Sequence, residues 1–496
     1  MLPNRRYIPH LRTALVLTGT GTAGAYHAGV IRALHEAGVK VDLVAGRGIG
    51  AVGAMFTAID GGSGLWESGG VWRDTGVSRL YRWRRILCAA LWMASAAVAT
   101  LVLPMVALVG AASAYSVGYL FELMGLDVGT SIIAAYTRLV DTAFAPTALP
   151  TYIPRLILIA VVTLFALFLI DTVLSSARRV PRRRVRGDLW WRLLGTPLEV
   201  SAAVKWFSGG LWRVMSGASR IEVPVNKDLG ERYAELLGDN VGQPGFCELL
   251  IVAHDIDARR DITYALLAEP HRQAYLADVS GSDAEGRLLE VVDLSTEPKR
   301  LAFDALASSL SLPLVTEPHF VSHAPESAWR GETHRVSDRL TSTSRLLDEV
   351  ARAGAEQVIL VSSFPSAPGP HTLAVDRHDI RGRAGQYLLS SETAALQDAL
   401  ASVGTRFQAL FHVRPMHNPV GPFDFNGCYD KESDRLINLD ELVNRGYEDG
   451  SRQFVEAVVA ESGELIDVPS GEQSYETDSI SERLAAHEYD VDEQAN

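Results

Sequence analysis

Cysteine is scarce in this chain of 496 residues, which contains only Cys88, Cys247 and Cys428. Three thiols cannot form the framework of a disulfide-rich fold, and their separations match no zinc-ligand spacing. The cysteines therefore indicate no metal site and a reducing compartment for the soluble part of the chain. No cofactor is expected either. The hydrophobic content of 47% is sufficient for a large buried core.

A serine is missing from a turn whose surroundings are typical of a nucleophile elbow. An apolar run at 41–45 leads into Gly46-Arg47-Gly48-Ile49-Gly50, and a small, apolar helical pattern follows. In the motif G-x-S-x-G a serine is held at the tip of a sharp strand-to-helix turn. Gly46 and Gly50 match the flanking glycines, but Gly48 occupies the serine position. The pattern predicts the architecture of an acyl-transfer site without its nucleophile.

A second glycine-rich turn lies upstream, between a predicted strand at 13–18 and a predicted helix at 25–37. Its residues Gly19, Thr20, Gly21 and Gly24 would present backbone N–H groups at a helix N-terminus, which suits an oxyanion or a phosphate. The same glycines also spell the dinucleotide fingerprint G-x-G-x-x-G. Against that reading, Asp42 lies at the start of the next strand, whereas a ribose-binding carboxylate belongs near a strand's end.

Five segments together resemble the patatin-like phospholipases. They are the glycine-rich opening at 17–34, a central strand at 246–255, a helix-to-loop segment at 305–314, a strand at 353–361 and a later segment at 414–427. The resemblance implies a three-layer α/β/α fold with a mostly parallel sheet. It also implies an oxyanion loop at Gly19–Gly24 and a Ser–Asp dyad without histidine.

The chain departs from the family pattern at each catalytic element. The nucleophile position is Gly48, and the aspartate position is Ser337 or, with a shift of one residue, Asp338. The glycine that usually follows the aspartate is Arg339, and the oxyanion loop carries Thr20 and Ala23 where the family has a glycine and a basic residue. Because three elements differ together, we expect a natural pseudoenzyme with no intact catalytic residue.

Two long apolar segments predict a membrane hairpin inserted into this domain. The stretch 86–121 has no charged residue, and 156–170 is uniformly apolar and can be extended to 177, while about 20 residues suffice for one span. The alternative is a pair of buried core helices. Arginines at 79–85 and at 178–186 flank the two spans, so the positive-inside rule predicts that both termini are cytoplasmic, at a bacterial inner membrane. The linker 122–155 would lie outside or along the interface. No signal peptide is expected from the charged residues 1–12.

These observations predict five regions along the chain: residues 1–85 and 187–380 of the patatin-like domain, the hairpin at 86–177, a helical extension at 381–465, and an acidic disordered tail at 466–496. Within the extension, helices are expected at 391–403 and 440–461, packed on the sheet. His417, Asp424, Asp430 and Asp434 match no metal-ligand spacing and are interpreted as a polar loop.

Three functions stay open from the sequence. The first is a membrane-anchored pseudoenzyme that binds membrane lipid or a protein partner. The second is an active acyl hydrolase with another nucleophile, for which Thr18, Thr20 and Thr22 are the nearby hydroxyls. The third is a nucleotide-binding module that uses Gly19–Gly24. Nucleic acid is not an expected partner, because the basic run at 178–186 is explained by the neighbouring membrane segment.

Overall fold

The structure of the chain is a computed structural model. It describes residues 7–144, 155–166, 169–170, 195–217, 222–277, 289–296, 299–362, 380–416, 421–429 and 436–459. The basic run at 178–186, His417, Asp430, Asp434 and the acidic tail lie outside the described residues.

A nine-stranded sheet forms the centre of the molecule, with strand order β11-β10-β1-β2-β5-β6-β7 and the β8–β9 hairpin joined to β5. Pairing is parallel from β11 through β5 and antiparallel where β5 meets β6 and β9. The strands, including two small accessory pairs, are β1 (Thr13–Thr18), β2 (Leu43–Arg47), β3 (Arg82–Trp83), β4 (Leu198–Glu199), β5 (Glu248–Asp255), β6 (Arg260–Leu266), β7 (Val291–Asp293), β8 (His319–Ser322), β9 (Thr333–Ser337), β10 (Gln357–Ser362), β11 (Ala409–Val413), β12 (Cys428–Tyr429) and β13 (Leu436–Ile437).

Helices lie on both faces of this sheet. The helices of the described residues are α1 (Ala23–Glu36), α2 (Ile49–Asp60), α3 (Ser63–Trp66), α4 (Arg85–Leu123), α5 (Val128–Phe144), α6 (Arg155–Ala166), α7 (Ser201–Ser216), α8 (Asn226–Asn240), α9 (His271–Ala277), α10 (Leu301–Leu310), α11 (Thr343–Arg352), α12 (Ile380–Val403) and α13 (Leu439–Gly450), with a π-helix at Ser451–Val459. Alternate side chains of the central strands enter two separate apolar cores, one on each face. This arrangement confirms the three-layer α/β/α fold.

The central strands are buried along their whole length, as expected for parallel strands covered on both faces. Their carboxyl ends meet at one edge of the sheet, where β1 leads into the glycine-rich turn and β2 into α2. The two turns singled out in the sequence are therefore neighbours at this edge.

The segment predicted as a helical extension is partly sheet. It does supply α12 and α13, but β11 lies between them and pairs with β10 in the main sheet. Helix α13 packs closely on α1, because Gly29 and Gly446 leave room for the two backbones to approach each other. The C-terminal part is thus integral to the fold.

Helix α4 extends without interruption for 39 residues, and its side chains are mostly exposed although they are apolar. Within it, Met105–Leu123 is the one helix in the described residues that is both long and apolar enough to cross a membrane. The predicted linker contains α5, which folds back along α4: Tyr136 donates a hydrogen bond to the carbonyl of Ala107, and Ile133 packs against Gly118. The shorter α6 covers the start of the second predicted span, which continues beyond the described residues, so the two-span hairpin stays a prediction.

Candidate functional site

The turn from β2 to α2 has the backbone conformation of an elbow. Gly48, at its tip, has φ 56° and ψ −132°, a region that residues with a Cβ rarely adopt. The flanking glycines are required by close packing: a Cβ on Gly46 would lie 2.4 Å from the carbonyl oxygen of Gly50, and one on Gly50 would lie 2.1 Å from that of Leu17. The elbow architecture is present with glycine at every predicted position.

The space in front of Gly48 is filled by the glycine-rich turn at Gly19–Gly24. A Cβ added to Gly48 would lie only 2.5 Å from the carbonyl oxygen of Gly19, so backbone would have to move to admit any side chain. The same oxygen accepts a hydrogen bond from the N–H of Ile49 at 3.1 Å. In elbow hydrolases the N–H that follows the nucleophile is one of the oxyanion donors. Here that donor already has an internal acceptor.

A later segment of the chain, which contains Gly421 and Pro422, covers the glycine-rich turn. The carbonyl of Pro422 accepts a hydrogen bond from the N–H of Thr22 at 3.0 Å, and the carbonyl of Gly421 accepts one from the Thr22 hydroxyl at 2.6 Å. Gly21 has φ +60°, and a Cβ there would lie 1.9 Å from the Pro422 oxygen. We call Gly421–Phe425 the covering segment. It occupies the helix N-terminus where an oxyanion or a phosphate would bind.

Of the two candidates for the aspartate position, Asp338 is the one that faces the elbow. A Cβ on Gly48 would lie 3.0 Å from Asp338 Oδ2. Ser337 is the last residue of β9, opposite His254 of β5, and its hydroxyl donates to the Asp338 carbonyl at 3.2 Å. The side-chain pairing of a serine-type dyad would therefore involve Asp338 if position 48 carried a hydroxyl.

A buried ionic cluster surrounds this aspartate. Arg47, within the elbow, lies 3.5 Å from Asp338 Oδ2 and donates to Glu392 of α12 at 3.2 Å. Glu392 also accepts a hydrogen bond from the hydroxyl of Thr20 at 2.5 Å. All four side chains are at most 1% exposed, so β2, β9, α12 and the glycine-rich turn are joined through charged groups without solvent.

Burial dominates the proton affinities in this cluster. It raises the pKa of Asp338 and that of Glu392, while the positive charge of Arg47 acts against the rise in both cases. Burial tends to lower the pKa of Arg47, but the two facing carboxylates overcome it and the pKa is raised. Arg47 therefore stays charged and holds Asp338 in an ion pair.

Arg47 and Glu392 were not among the residues selected from the sequence. Arg47 carries a local signal, because a long cation stands within a run of small residues that folds into a buried turn. Glu392 carries none, since it is 345 residues from Arg47 in the chain and is one of many polar residues on α12.

The three threonines near the elbow all have acceptors. Thr18 donates to the Val361 carbonyl at 3.4 Å and Thr22 to Gly421, whereas Thr20 donates to a carboxylate. Thr20 therefore has the acidic partner that the sequence did not indicate. It is 1% exposed, and Glu392 is already neutralised by Arg47.

The residues considered for other ligands lie elsewhere or have structural contacts. Asp42 accepts a hydrogen bond from the N–H of Thr13 at 2.9 Å, at the edge of the sheet opposite the glycine-rich turn. A surface cavity of about 910 Å³ lies at that edge and its lining does not include Gly48. Asp424 accepts a hydrogen bond from the N–H of Gly421 at 2.9 Å and so shapes the covering segment.

Comparison with known proteins gives one extensive match. A family model described as patatin-like phospholipase matches residues 15–334, well over half of the chain. Patatin-like phospholipase domain-containing protein 6 of Mus musculus and that of Homo sapiens are each 57% identical over 44 residues. That match covers 9% of this chain and only 3% of the length of each of these relatives. The crystal structure of VipD from Legionella pneumophila aligns with 90% of this chain and 67% of its own, with 14% identity and a TM-score of 0.29.

Proposed function

The chain belongs to the patatin-like phospholipase family, and on this premise we propose that it is a catalytically inactive member that acts at a membrane as a scaffold for a protein partner. The observation that carries the proposal is the closed elbow at Gly48. The surrounding contacts support the proposal, because each group that acyl transfer requires is either missing or already paired.

Acyl transfer through a dyad needs a nucleophile, a base and donors for the developing oxyanion. Gly48 supplies no hydroxyl. Asp338, the group placed to act as the base, is held by Arg47 at 3.5 Å. The N–H groups of Ile49 and Thr22 donate to the carbonyls of Gly19 and Pro422, so neither points into a vacant oxyanion site. A substrate ester would have to displace backbone from both turns before it reached the elbow.

The exposed surface of α4 supports attachment to a membrane. Large apolar side chains such as Trp92, Met105 and Leu123 are between 64% and 78% exposed on this helix. Soluble monomers rarely expose continuous apolar surface of this extent. In a bilayer these side chains would contact lipid tails, so membrane lipid is the proposed environment of α4.

The filled elbow supports a protein partner over a lipid held in the active site. A lipid-binding member would keep an apolar groove over the elbow, whereas the Gly19 carbonyl fills the space at Gly48 and Pro422 covers the neighbouring glycine-rich turn. We therefore assign lipid contact to the apolar helices and partner contact to the α/β domain.

A hydrolase that uses Thr20 is the second candidate, because Thr20 donates to Glu392 as a nucleophile would donate to its base. The two proposals differ in a direct assay with short-chain and phospholipid acyl esters. We expect the purified full-length protein to hydrolyse them no faster than a heat-inactivated sample. Turnover that disappears in Thr20→Val and persists in Thr18→Val would establish the second candidate and contradict the first.

A binding assay on the same protein tests the remaining alternative. A nucleotide-binding module that uses Gly19–Gly24 would show saturable binding of ATP or NAD. We expect no such binding, since the covering segment occupies the helix N-terminus.

A further inference from the structure

Three buried side chains form a cluster at the end of the β5–β9–β8 part of the sheet. Asp255 is the last residue of β5, His323 directly follows β8, and His334 lies on β9. One ligand-type atom from each of the three lies within 4.8 Å of the other two. The exposed fractions are 1% for Asp255, 4% for His323 and 2% for His334.

The hydrogen bonds of the cluster leave one imidazole nitrogen without a partner. His334 Nδ1 lies 2.5 Å from Asp255 Oδ2, and its Nε2 lies 3.1 Å from Glu332 Oε2. Asp255 Oδ1 accepts from the N–H groups of Asp257 and Ala258, both at 2.9 Å. His323 Nε2 is buried and has no hydrogen-bond partner among the residues that the structure describes. A buried polar atom of this kind is unfavourable unless another ligand satisfies it.

We propose that Asp255, His323 and His334 bind a divalent transition-metal ion, and that the ion is Zn²⁺. Two imidazoles and one carboxylate form a ligand set that suits zinc, whereas Ca²⁺ and Mg²⁺ prefer oxygen ligands alone. Glu332 takes the position of a supporting group, because imidazoles that bind metals usually donate their other N–H to a carboxylate.

Small movements are enough to accommodate the ion. Zinc holds nitrogen and oxygen ligands at about 2.0–2.2 Å, which places two ligands of a tetrahedral site about 3.3 Å apart. Asp255 and His334 would separate by less than about 1 Å from their present contact. Nδ1 of His334 would give up its proton to solvent and coordinate the ion, while its Nε2–H would donate to Glu332. A water on the side of the exposed Glu332 would complete four-coordination.

Such an ion would join three strands at the edge that leads to the elbow. His334 and Asp338 are four residues apart, and the chain passes from β9 directly to the aspartate that faces Gly48. The site is separate from the elbow and does not depend on the proposed function.

Zinc binding to the purified full-length chain, measured by competition with a chelating indicator after removal of metals, tests this proposal. We expect one ion per chain, and Co²⁺ in its place should give the visible absorption of a four-coordinate site. His323→Gln should weaken binding by at least about tenfold, and Glu332→Gln by a similar factor without disturbing the core. His319→Gln is the matched control, because His319 pairs with Asp304 at 2.7 Å but has no second imidazole in its contacts, and it should bind zinc like the unchanged chain.

Two outcomes would overturn the proposal. One is equal zinc affinity in the unchanged chain, His323→Gln and Glu332→Gln, which would mean adventitious binding elsewhere. The other is the absence of the four-coordinate Co²⁺ spectrum from the unchanged, folded chain, a result that does not depend on whether any variant folds.

Discussion

Gly48 shows how a single residue can retain an enzyme's backbone geometry without its chemistry. Its φ of 56° belongs to the region in which elbow nucleophiles are held under strain of about 1–3 kcal/mol. Glycine adopts this region without a Cβ clash, so loss of the side chain relaxes the turn. The space released is occupied by the Gly19 carbonyl, which makes the change difficult to reverse.

Restoring the serine should therefore destabilise the fold and leave the protein inactive. In Gly48→Ser the new Cβ would lie 2.5 Å from the Gly19 oxygen, and we expect the free energy of unfolding to fall by about 3 kcal/mol or more. Asp338 faces position 48, so the lack of activity would arise from its pairing with Arg47 and from the occupied oxyanion donors.

Thermal or denaturant unfolding, with an esterase assay on the same samples, checks this prediction. The matched control is Gly354→Ala, because Gly354 also has a positive φ of +81°, but no atom of the described residues lies within 4 Å of an added Cβ. It should cost only about 1 kcal/mol of backbone strain. Equal losses at the two positions, or robust esterase activity of Gly48→Ser, would contradict the closed-elbow interpretation.

The residues of the elbow are predicted from local sequence patterns, whereas the groups around them depend on long-range contacts. Gly46, Gly48 and Gly50 could be placed because strand, turn and helix are consecutive in the chain. Ser337 and Asp338 could not be distinguished, because a shift of one residue moves a side chain to the other face of a strand. Pairing of Arg47 with Glu392 depends on how α12 folds back over the sheet, and no short sequence motif predicts this contact.

At the scale of secondary-structure elements, the buried cluster joins β2, the end of β9 and α12 through one cation and two carboxyl groups. Removing one partner of a buried ion pair leaves an uncompensated charge and typically costs about 3–5 kcal/mol. We expect Arg47→Met to lose stability of this size. Arg406→Met, which removes an exposed partner of Asp348 at 2.8 Å, should lose less than about 1 kcal/mol.

The loss in Arg47→Met should grow as the pH rises. Burial already raises the pKa of Asp338 and of Glu392 in the folded state, and removal of Arg47 takes away the charge that opposes this rise. Carboxyl groups with a raised pKa stabilise the fold at low pH and lose that contribution as the pH rises through the folded-state pKa. Melting temperatures of both chains from pH 5 to pH 8 should therefore diverge towards pH 8.

A double variant gives the corresponding control. Arg47→Met with Glu392→Gln removes one of the two buried carboxyl groups, so it should recover part of the stability and flatten the pH dependence. A constant difference between Arg47→Met and the unchanged chain across this pH range would show that Arg47 acts by packing alone.

At the scale of the whole molecule, the protein combines an α/β domain, whose elbow is closed by the Gly19 carbonyl, with the long apolar helix α4. The sequence indicated both parts, because apolar length and the parallel-strand pattern are each visible locally. The path of the linker was not visible, since α5 is amphipathic and its packing on α4 depends on close contacts at Gly118 and Gly129. Likewise, Asp255 is 79 residues from His334 in the chain, and only the sheet brings it beside the two histidines of the β8–β9 hairpin.

Membrane topology is the prediction that belongs to this scale. Arginines 82, 84 and 85 stand at the base of α4, and the basic run at 178–186 follows the second predicted span, so both flanks should be cytoplasmic. Anionic lipids favour this orientation by about 1 kcal/mol for each basic residue near the surface. The turn between α4 and α5 would then lie on the far side, because Met105–Leu123 is long enough to cross at about 1.5 Å per residue.

Cysteine labelling in intact cells provides the measurement. In a background without Cys88, Cys247 and Cys428, Thr130→Cys at the start of α5 should react with an impermeant maleimide, whereas Ser474→Cys should react only after lysis. Labelling of Ser474→Cys in intact cells would reverse the orientation. Release of the protein by a carbonate wash would exclude the spans themselves, and the exposed apolar face of α4 would then have to be covered by a protein partner, because water alone would leave it prone to aggregation.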